Sequence, residues 1–266
     1  MAETLDVQKA DAITTVTLKL PAMPPRFFSE IGAAFREIAE DREVRAVIVR
    51  SKAKHWSYGL DLAASFQELG AAISSGSAAS RLELHRHILQ LQGEFDAVAA
   101  CPVPVIAAIH GWCIGGGVDL ASACDIRIAT QDSKFSVRET RIAIVADLGS
   151  LQRLPRLIGQ GNTRELAFTG KDIDAVRARE MGLVNQVVDD LGALGDAVAS
   201  MARAIADNPP LTVRGVKRVL DFGEGKPVAD GLSYVAAWNA AFLASEDLGE
   251  AIAAFTEKRA PRFKGQ

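Results

Sequence analysis

The feature that most restricts this chain is Val103–Ile109, VPVIAAI, a near-continuous apolar run. It is far shorter than the ~20 residues that cross a bilayer, and it fits a strand buried on both sides. Such a strand needs helices over each face of a parallel sheet. Its surroundings supply them. Ile13–Leu20 (ITTVTLKL) alternates β-branched and polar residues as a half-wet strand does, and Val44–Val49 (VRAVIV) follows a helical stretch, Phe27–Glu40. Asp125–Thr130 (DIRIAT) predicts a further strand after a short helix. Several strand–helix–strand units in one chain give an α/β fold. Ala78–Ala100 has a helical pattern, and the small, polar Gly70–Ser80 before it reads as a mobile surface loop.

After about residue 190 helices take over: Leu191–Asp207, Leu211–Asp221 behind Pro209 and Pro210, Asp230–Leu243 and Asp247–Lys258. The chain therefore divides into a core, 1–190, and a helical region, 191–266. Asp230–Leu243 is apolar on most of its faces, so either a partner subunit or its own domain must cover it.

Thirty Lys and Arg against 33 Asp and Glu, a net charge of -3, leave no broad cationic surface for a phosphate backbone, which argues against nucleic acid. No apolar run is long enough for a membrane span, and neither a basic-then-apolar leader nor a C-terminal peroxisomal tripeptide is present, so the expectation is a soluble, cytoplasmic chain. Cys101, Cys113 and Cys124 lie in or beside apolar segments and read as buried free thiols. His85 and His87 sit two apart on a helical pattern and face apart, and with no CxxC or HExxH a metal is not expected.

The chemistry concentrates in Ile109–Asp125, IHGWCIGGGVDLASACD, where a buried strand ends at Gly111 and Gly115, Gly116 and Gly117 open a helix. Glycine lets a ligand approach the backbone, and first-turn N–H groups carry a positive partial charge. The arrangement suits a developing oxyanion, or it merely permits tight helix–strand packing. In His55–Leu62, HWSYGLDL, Gly59 breaks the chain before a helix near Asp61, and the Leu60 N–H is a second candidate donor. Asp119 lies three residues into the glycine-opened helix, Glu139 follows Phe135–Arg138 in a strand-like context, and Asp147 interrupts the apolar run Ile142–Leu148. Arg138 and Arg141 offer Glu139 an ion pair. Carboxyl groups lining an apolar cavity would instead have raised pKa values and trade protons near neutrality.

Taken in order, Ile109–Asp125, the Gly59 segment, the Glu139 region, Gln152-Arg153-Leu154-Pro155 and Phe255–Phe263 (FTEKRAPRF) resemble the crotonase, or enoyl-CoA hydratase/isomerase, superfamily over nearly the whole chain. The resemblance implies a crotonase-type spiral of βαβ repeats, a C-terminal helical oligomerisation region, assembly as a homotrimer or homohexamer, and an acyl-CoA thioester substrate. It puts the oxyanion hole at the Leu60 and Gly116 N–H groups, with Tyr58, Gly59, Gly115 and Lys258 as substrate-binding residues. CoA enters as part of the substrate, with no cofactor besides.

Hydratases of the family hold water between two glutamates and have glycine eight residues beyond the second; this chain has Asp119, Glu139 and Asp147 there. That set is similar to the dienoyl-CoA isomerases, which convert 3,5-dienoyl-CoA to 2,4-dienoyl-CoA, and implies Asp147 as base at C2, Glu139 as acid at C6 and Asp119 in support. The rival is a 2-enoyl-CoA hydratase of fatty-acid β-oxidation. No GxSxG supports a serine hydrolase, and three acids would be costly in a mere acyl-CoA-binding protein. Pro24-Pro25-Arg26-Phe27 departs from the family's usual Asn-Ala, leaving Arg26 either on a phosphate or solvated. Tyr58 is bulkier than usual beside the glycine. Lys258 either meets CoA phosphate across a subunit boundary or is a solvated helix-end lysine.

Overall fold

The computed structural model describes residues 2–266, without the side chains of residues 69 and 71–74. The elements run β1 (Leu5–Ala10), β2 (Ile13–Leu18), α1 (Pro25–Glu40), β3 (Ala46–Ser51), α2 (Leu62–Ser74), α3 (Ala78–Ala99), β4 (Val105–Ile109), β5 (Trp112–Ile114), α4 (Gly116–Ala123), β6 (Ile126–Thr130) and β7 (Lys134–Ser136). A 3-10 turn (Glu139–Ile142) leads to α5 (Ser150–Thr169), β8 (Ile173–Asp174), α6 (Ala175–Glu180), β9 (Gln186–Val188), α7 (Leu191–Ala206), α8 (Pro210–Gly223), α9 (Val228–Phe242) and α10 (Glu246–Glu257).

The main sheet has the order β1-β2-β3-β4-β6-β9, antiparallel only at the β1–β2 hairpin. All five residues of β4 are buried, and they alternate as a two-faced strand must. Val105, Ala107 and Ile109 enter the large core with α1 and α3, while Ile106 and Ala108 meet Leu194, Val198 and Ala202 of α7 on the other face. The first helix after residue 190 is thus a layer of the sheet's own packing.

Two expectations fail locally. Gly70–Ser80 is mostly helical, with α2 reaching Ser74 and α3 starting at Ala78; only 75–77 intervene, where Ser77 caps α3 by accepting the Ser80 N–H. Glu139 opens a 3-10 turn rather than continuing a strand, because β7 ends at Ser136. In addition, β4 stops at Ile109 and Gly111 turns the chain at φ 58 into β5, which forms a second small sheet, β5-β7-β8.

Helix α4 connects β4 and β5 to β6 with all eight residues buried. Its C-terminal carbonyls have no water to turn to, and buried Arg127 on β6 meets them: Nη1 donates to Cys124 O at 2.6 Å and Ala121 O at 3.3 Å, and Nε to Leu183 O at 2.6 Å. Lys217 of α8 bonds Asp125 Oδ2 at 2.7 Å, tying the helical region to the same corner. Helix α9 packs on α8 where Trp238 lies so near Gly215 that a Cβ there would sit 2.4 Å from Nε1, yet no residue of α9 is buried within the chain.

Arg127→Met keeps the stem's apolar contacts and removes the guanidinium donors, leaving Ala121 O only the Cys124 N–H. The expected loss is about 3 kcal/mol of unfolding free energy, read as a lowered urea midpoint with unchanged slope; an unmoved midpoint would refute the capping role.

Candidate active site

Backbone hydrogen bonds fix the 56–61 segment almost completely. Trp56 N–H donates to His110 O (2.8 Å), Ser57 N–H to Trp112 O (2.9 Å), Tyr58 N–H to Pro21 O (2.6 Å), Gly59 N–H to Ser57 Oγ (3.0 Å) and Asp61 N–H to Met23 O (2.9 Å). Among the described residues Leu60 N–H alone of this series donates to nothing in the protein. The glycine triplet behaves alike: Gly115 N–H donates to Ser136 O at 3.0 Å, whereas Gly116 N–H, the first of α4, finds no acceptor among them.

The two unengaged amides are neighbours. Gly59, at φ 82, approaches so closely that a Cβ on it would lie 3.0 Å from Gly116 N and 2.8 Å from Ile114 O; a Cβ on Gly116 would lie 3.0 Å from Leu60 Cδ1. The glycines therefore serve both expectations, close packing and open donors. Gly115, at φ 52, leaves room for Glu139, whose Oε1 would stand 3.2 Å from a Cβ there.

One cavity of about 390 Å3 joins Tyr58, Gly59, Leu60, Gly115, Gly116, Asp119, Glu139 and Asp147, with Leu62, Ile142 and Ile144 as apolar wall. Sequence reasoning missed that wall, since nothing local distinguishes these side chains. The structure does not bring Lys258 there: it sits exposed, in left-handed conformation, just past α10. Arg26 is paired with Glu3 at the surface. Tyr58 stands half exposed at the cavity, its ring edge-on to His55 at 5.1 Å.

The expected arginine partners, Arg138 and Arg141, line the same cavity, but neither forms an ion pair with Glu139. Arg138 bonds Asp172 at 2.7 Å and lies 5.0 Å from the Trp112 ring, and Arg141 packs against Gly170. Glu139 Oε2 is buried and finds no hydrogen-bond partner among the described residues. Burial pushes the Glu139 carboxyl up, and the charge of Asp147 adds to the rise. Asp147 is also raised by burial. Asp119, 1% exposed, is raised to about 7 by burial and by Glu139's charge, although its Oδ1 accepts the Ser150 N–H at 2.6 Å at the start of α5. The cavity therefore offers two backbone donors suited to an oxyanion and three carboxyls whose proton affinity is raised by burial.

Because the Asp119 pKa is higher folded than unfolded, the native chain binds the extra proton, and stability falls as pH rises from about 4 through 7. Asp119→Asn should remove that component, of the order of 4 kcal/mol in full, leaving the smaller slope from Glu139 and Asp147. Thermal melts of both proteins at pH 5 and pH 8.5 test this; equal pH slopes would show that Asp119 ionises without penalty.

Comparison with known proteins bears on the same geometry. The family described as enoyl-CoA hydratase/isomerase matches residues 8–266. A mitochondrial Delta(3,5)-Delta(2,4)-dienoyl-CoA isomerase of Dictyostelium discoideum is 42% identical over 91% of this chain and 83% of its own. A peroxisomal protein of the same name from Arabidopsis thaliana is 42% identical over 92% and 88%. The crystal structure of an enoyl-CoA hydratase from Bacillus anthracis superposes with a TM-score of 0.88 at 29% identity, covering 99% of this chain and 100% of that one. The expectation of a cytoplasmic location is overturned, since these isomerase relatives are mitochondrial and peroxisomal proteins.

Proposed function

The chain belongs to the enoyl-CoA hydratase/isomerase family, and we propose that it isomerises 3,5-dienoyl-CoA to 2,4-dienoyl-CoA with Asp147 as base and Glu139 as acid. The observation that carries these roles is the meeting of Asp147 and Glu139 in one cavity with the unengaged Leu60 and Gly116 amides.

Asp147 carboxylate takes a proton from C2, which the thioester acidifies. The electron pair delocalises as a dienolate, with negative charge on the thioester oxygen between the Leu60 and Gly116 N–H groups, and Glu139 delivers a proton to C6. The double bonds move from C3 and C5 to C2 and C4. Protons balance, leaving Asp147 protonated and Glu139 ionised until the two are reset. No metal or redox group has a task in this sequence, and CoA is the substrate's handle. The working state needs Asp147 ionised and Glu139 protonated, so kcat/KM should be bell-shaped in pH. The hydratase alternative asks Asp119 and Glu139 to share a water, but Asp119 already accepts from Ser150 N–H.

Ultraviolet assays with a 3,5-dienoyl-CoA and a 2-enoyl-CoA of equal chain length test the reading. The expected result is gain of the conjugated diene with little hydration, and Asp147→Asn and Glu139→Gln each slower by about 10²–10⁴ in kcat. Hydration without diene gain, or full isomerase activity in Asp147→Asn, would overturn it.

We further propose that α9 is covered by another copy in a homotrimer or homohexamer. It exposes Val228, Leu232 and Phe242 beside an apolar cavity of about 310 Å3 between α8, α9 and α10. Lys258 then meets a CoA phosphate only across a subunit boundary. Light scattering should give three or six chains; a monomer would sink this proposal.

A further inference from the structure

Asp147 sits on a connection that has little regular structure to hold it. The 143–149 segment begins with Ala143 in left-handed conformation (φ 59) and ends with Gly149 at φ 120. Among the described residues the N–H groups of Val145 to Leu148 donate to no backbone carbonyl, so the ladder that fixes a strand or helix is missing here. Two consecutive carbonyls are held instead by side chains. Gln92 Nε2 donates to Asp147 O at 2.6 Å, and Arg153 Nη1 donates to Leu148 O at 3.3 Å while its Nη2 bonds Asp96 Oδ1 at 2.6 Å. Gln92 and Asp96 are four apart on α3 and so share one helix face.

We infer that Gln92 is a positioning residue for the isomerisation, holding the Asp147 backbone so that its carboxylate reaches C2. The inference rests on the isomerase reading of Asp147. Gln92 does not line the cavity with Glu139; it lines the space behind, where Asp147 and Leu148 form the shared wall. It therefore acts on the reaction through Asp147 and not on the substrate. The rest of the site is anchored independently: the Leu60 and Gly116 amides depend on β5, Met23 and Gly59, none of which Gln92 touches through a hydrogen bond. Binding and oxyanion stabilisation should survive its loss, while proton removal should not.

The test is a double-mutant cycle of Gln92→Leu with Asp147→Asn, after thermal melts establish folding. Q92L alone should lower kcat for the 3,5-dienoyl-CoA by about 10-fold or more with KM changed less than about 3-fold, since small misplacement of a reacting group costs rate rather than affinity. Added to D147N, which already lacks the base, Q92L should cost less than about 2-fold. If the two losses multiply, or if Q92L raises KM and leaves kcat alone, Gln92 is merely structural and the inference falls. Should Q92L fail to fold, Gln92→Glu keeps length and polarity, removes the amide donor at neutral pH and carries the same cycle. Failure of the underlying reading looks different: D147N would then match the unmutated protein in isomerase activity, whatever Q92L does.

Discussion

A helix buried along its whole length must settle both of its ends inside the protein, and α4 is such a helix. At its C-terminus the guanidinium of Arg127 takes the carbonyls of Ala121 and Cys124. At its N-terminus the Gly116 N–H is left without an acceptor among the described residues, one glycine contact away from the equally unengaged Leu60 N–H. The asymmetry has a physical meaning. A carbonyl end closed by a cation and an amide end left open direct the helix's positive pole into the cavity, where it favours an anionic oxygen. The sheet keeps it there, because β4 before α4 and β6 after it are hydrogen-bonded neighbours buried on both faces.

The carboxyls follow from the same exclusion of water. Asp119, Glu139 and Asp147 form no ion pair among the described residues, although arginines stand near all three in sequence. Arg138 is held by Asp172 and Trp112, and Arg153 by Asp96. With no cation paired to them, burial dominates and raises all three pKa values; a neighbouring carboxylate adds to the rise at Asp119 and Glu139, and the Ser150 hydrogen bond and the more distant charge of Arg153 offset part of it at Asp119. An ion-paired glutamate would stay ionised and could not supply a proton; the unpaired Oε2 of Glu139 is what the proposed role of acid requires.

The parts of this architecture visible in the sequence are those with a strong local period or a strong local composition. Val103–Ile109 announces a two-faced strand because apolar residues occupy both parities, and the glycine triplet announces a close approach. The β5-β7-β8 sheet was invisible because strands of three, three and two residues carry no measurable period. Gly70–Ser80 misled in the other direction: its alanines favour helix, and only Ser75-Gly76-Ser77, with Gly76 at φ 61, interrupts it. Glu139's lack of an ion pair with Arg138 and Arg141 could not be read at all, because Asp172, which holds Arg138, and Gly170, beside which the Arg141 side chain lies, are some thirty residues on. Gln92 gave no signal for the same reason, being 55 residues from the carbonyl it bonds.

The site thus has two halves built on different principles. The half proposed to hold the oxyanion belongs to the sheet and α4, where the peptide N–H groups of 56–59, 61, 114 and 115 are all engaged. The acid half, from Glu139 to Asp147, belongs to a 3-10 turn and an irregular connection held at a few carbonyls by side chains from α3 and α5. An oxyanion hole lowers the barrier to any reaction that passes through a thioester enolate, so it does not choose among them. The choice lies with which carbon a carboxyl can reach, and reach is set by the half whose backbone can be re-aimed without disturbing the sheet. On the proposed roles, then, position 147 and the side chains that hold it decide where protons leave and arrive, while the two amides serve whatever charge results.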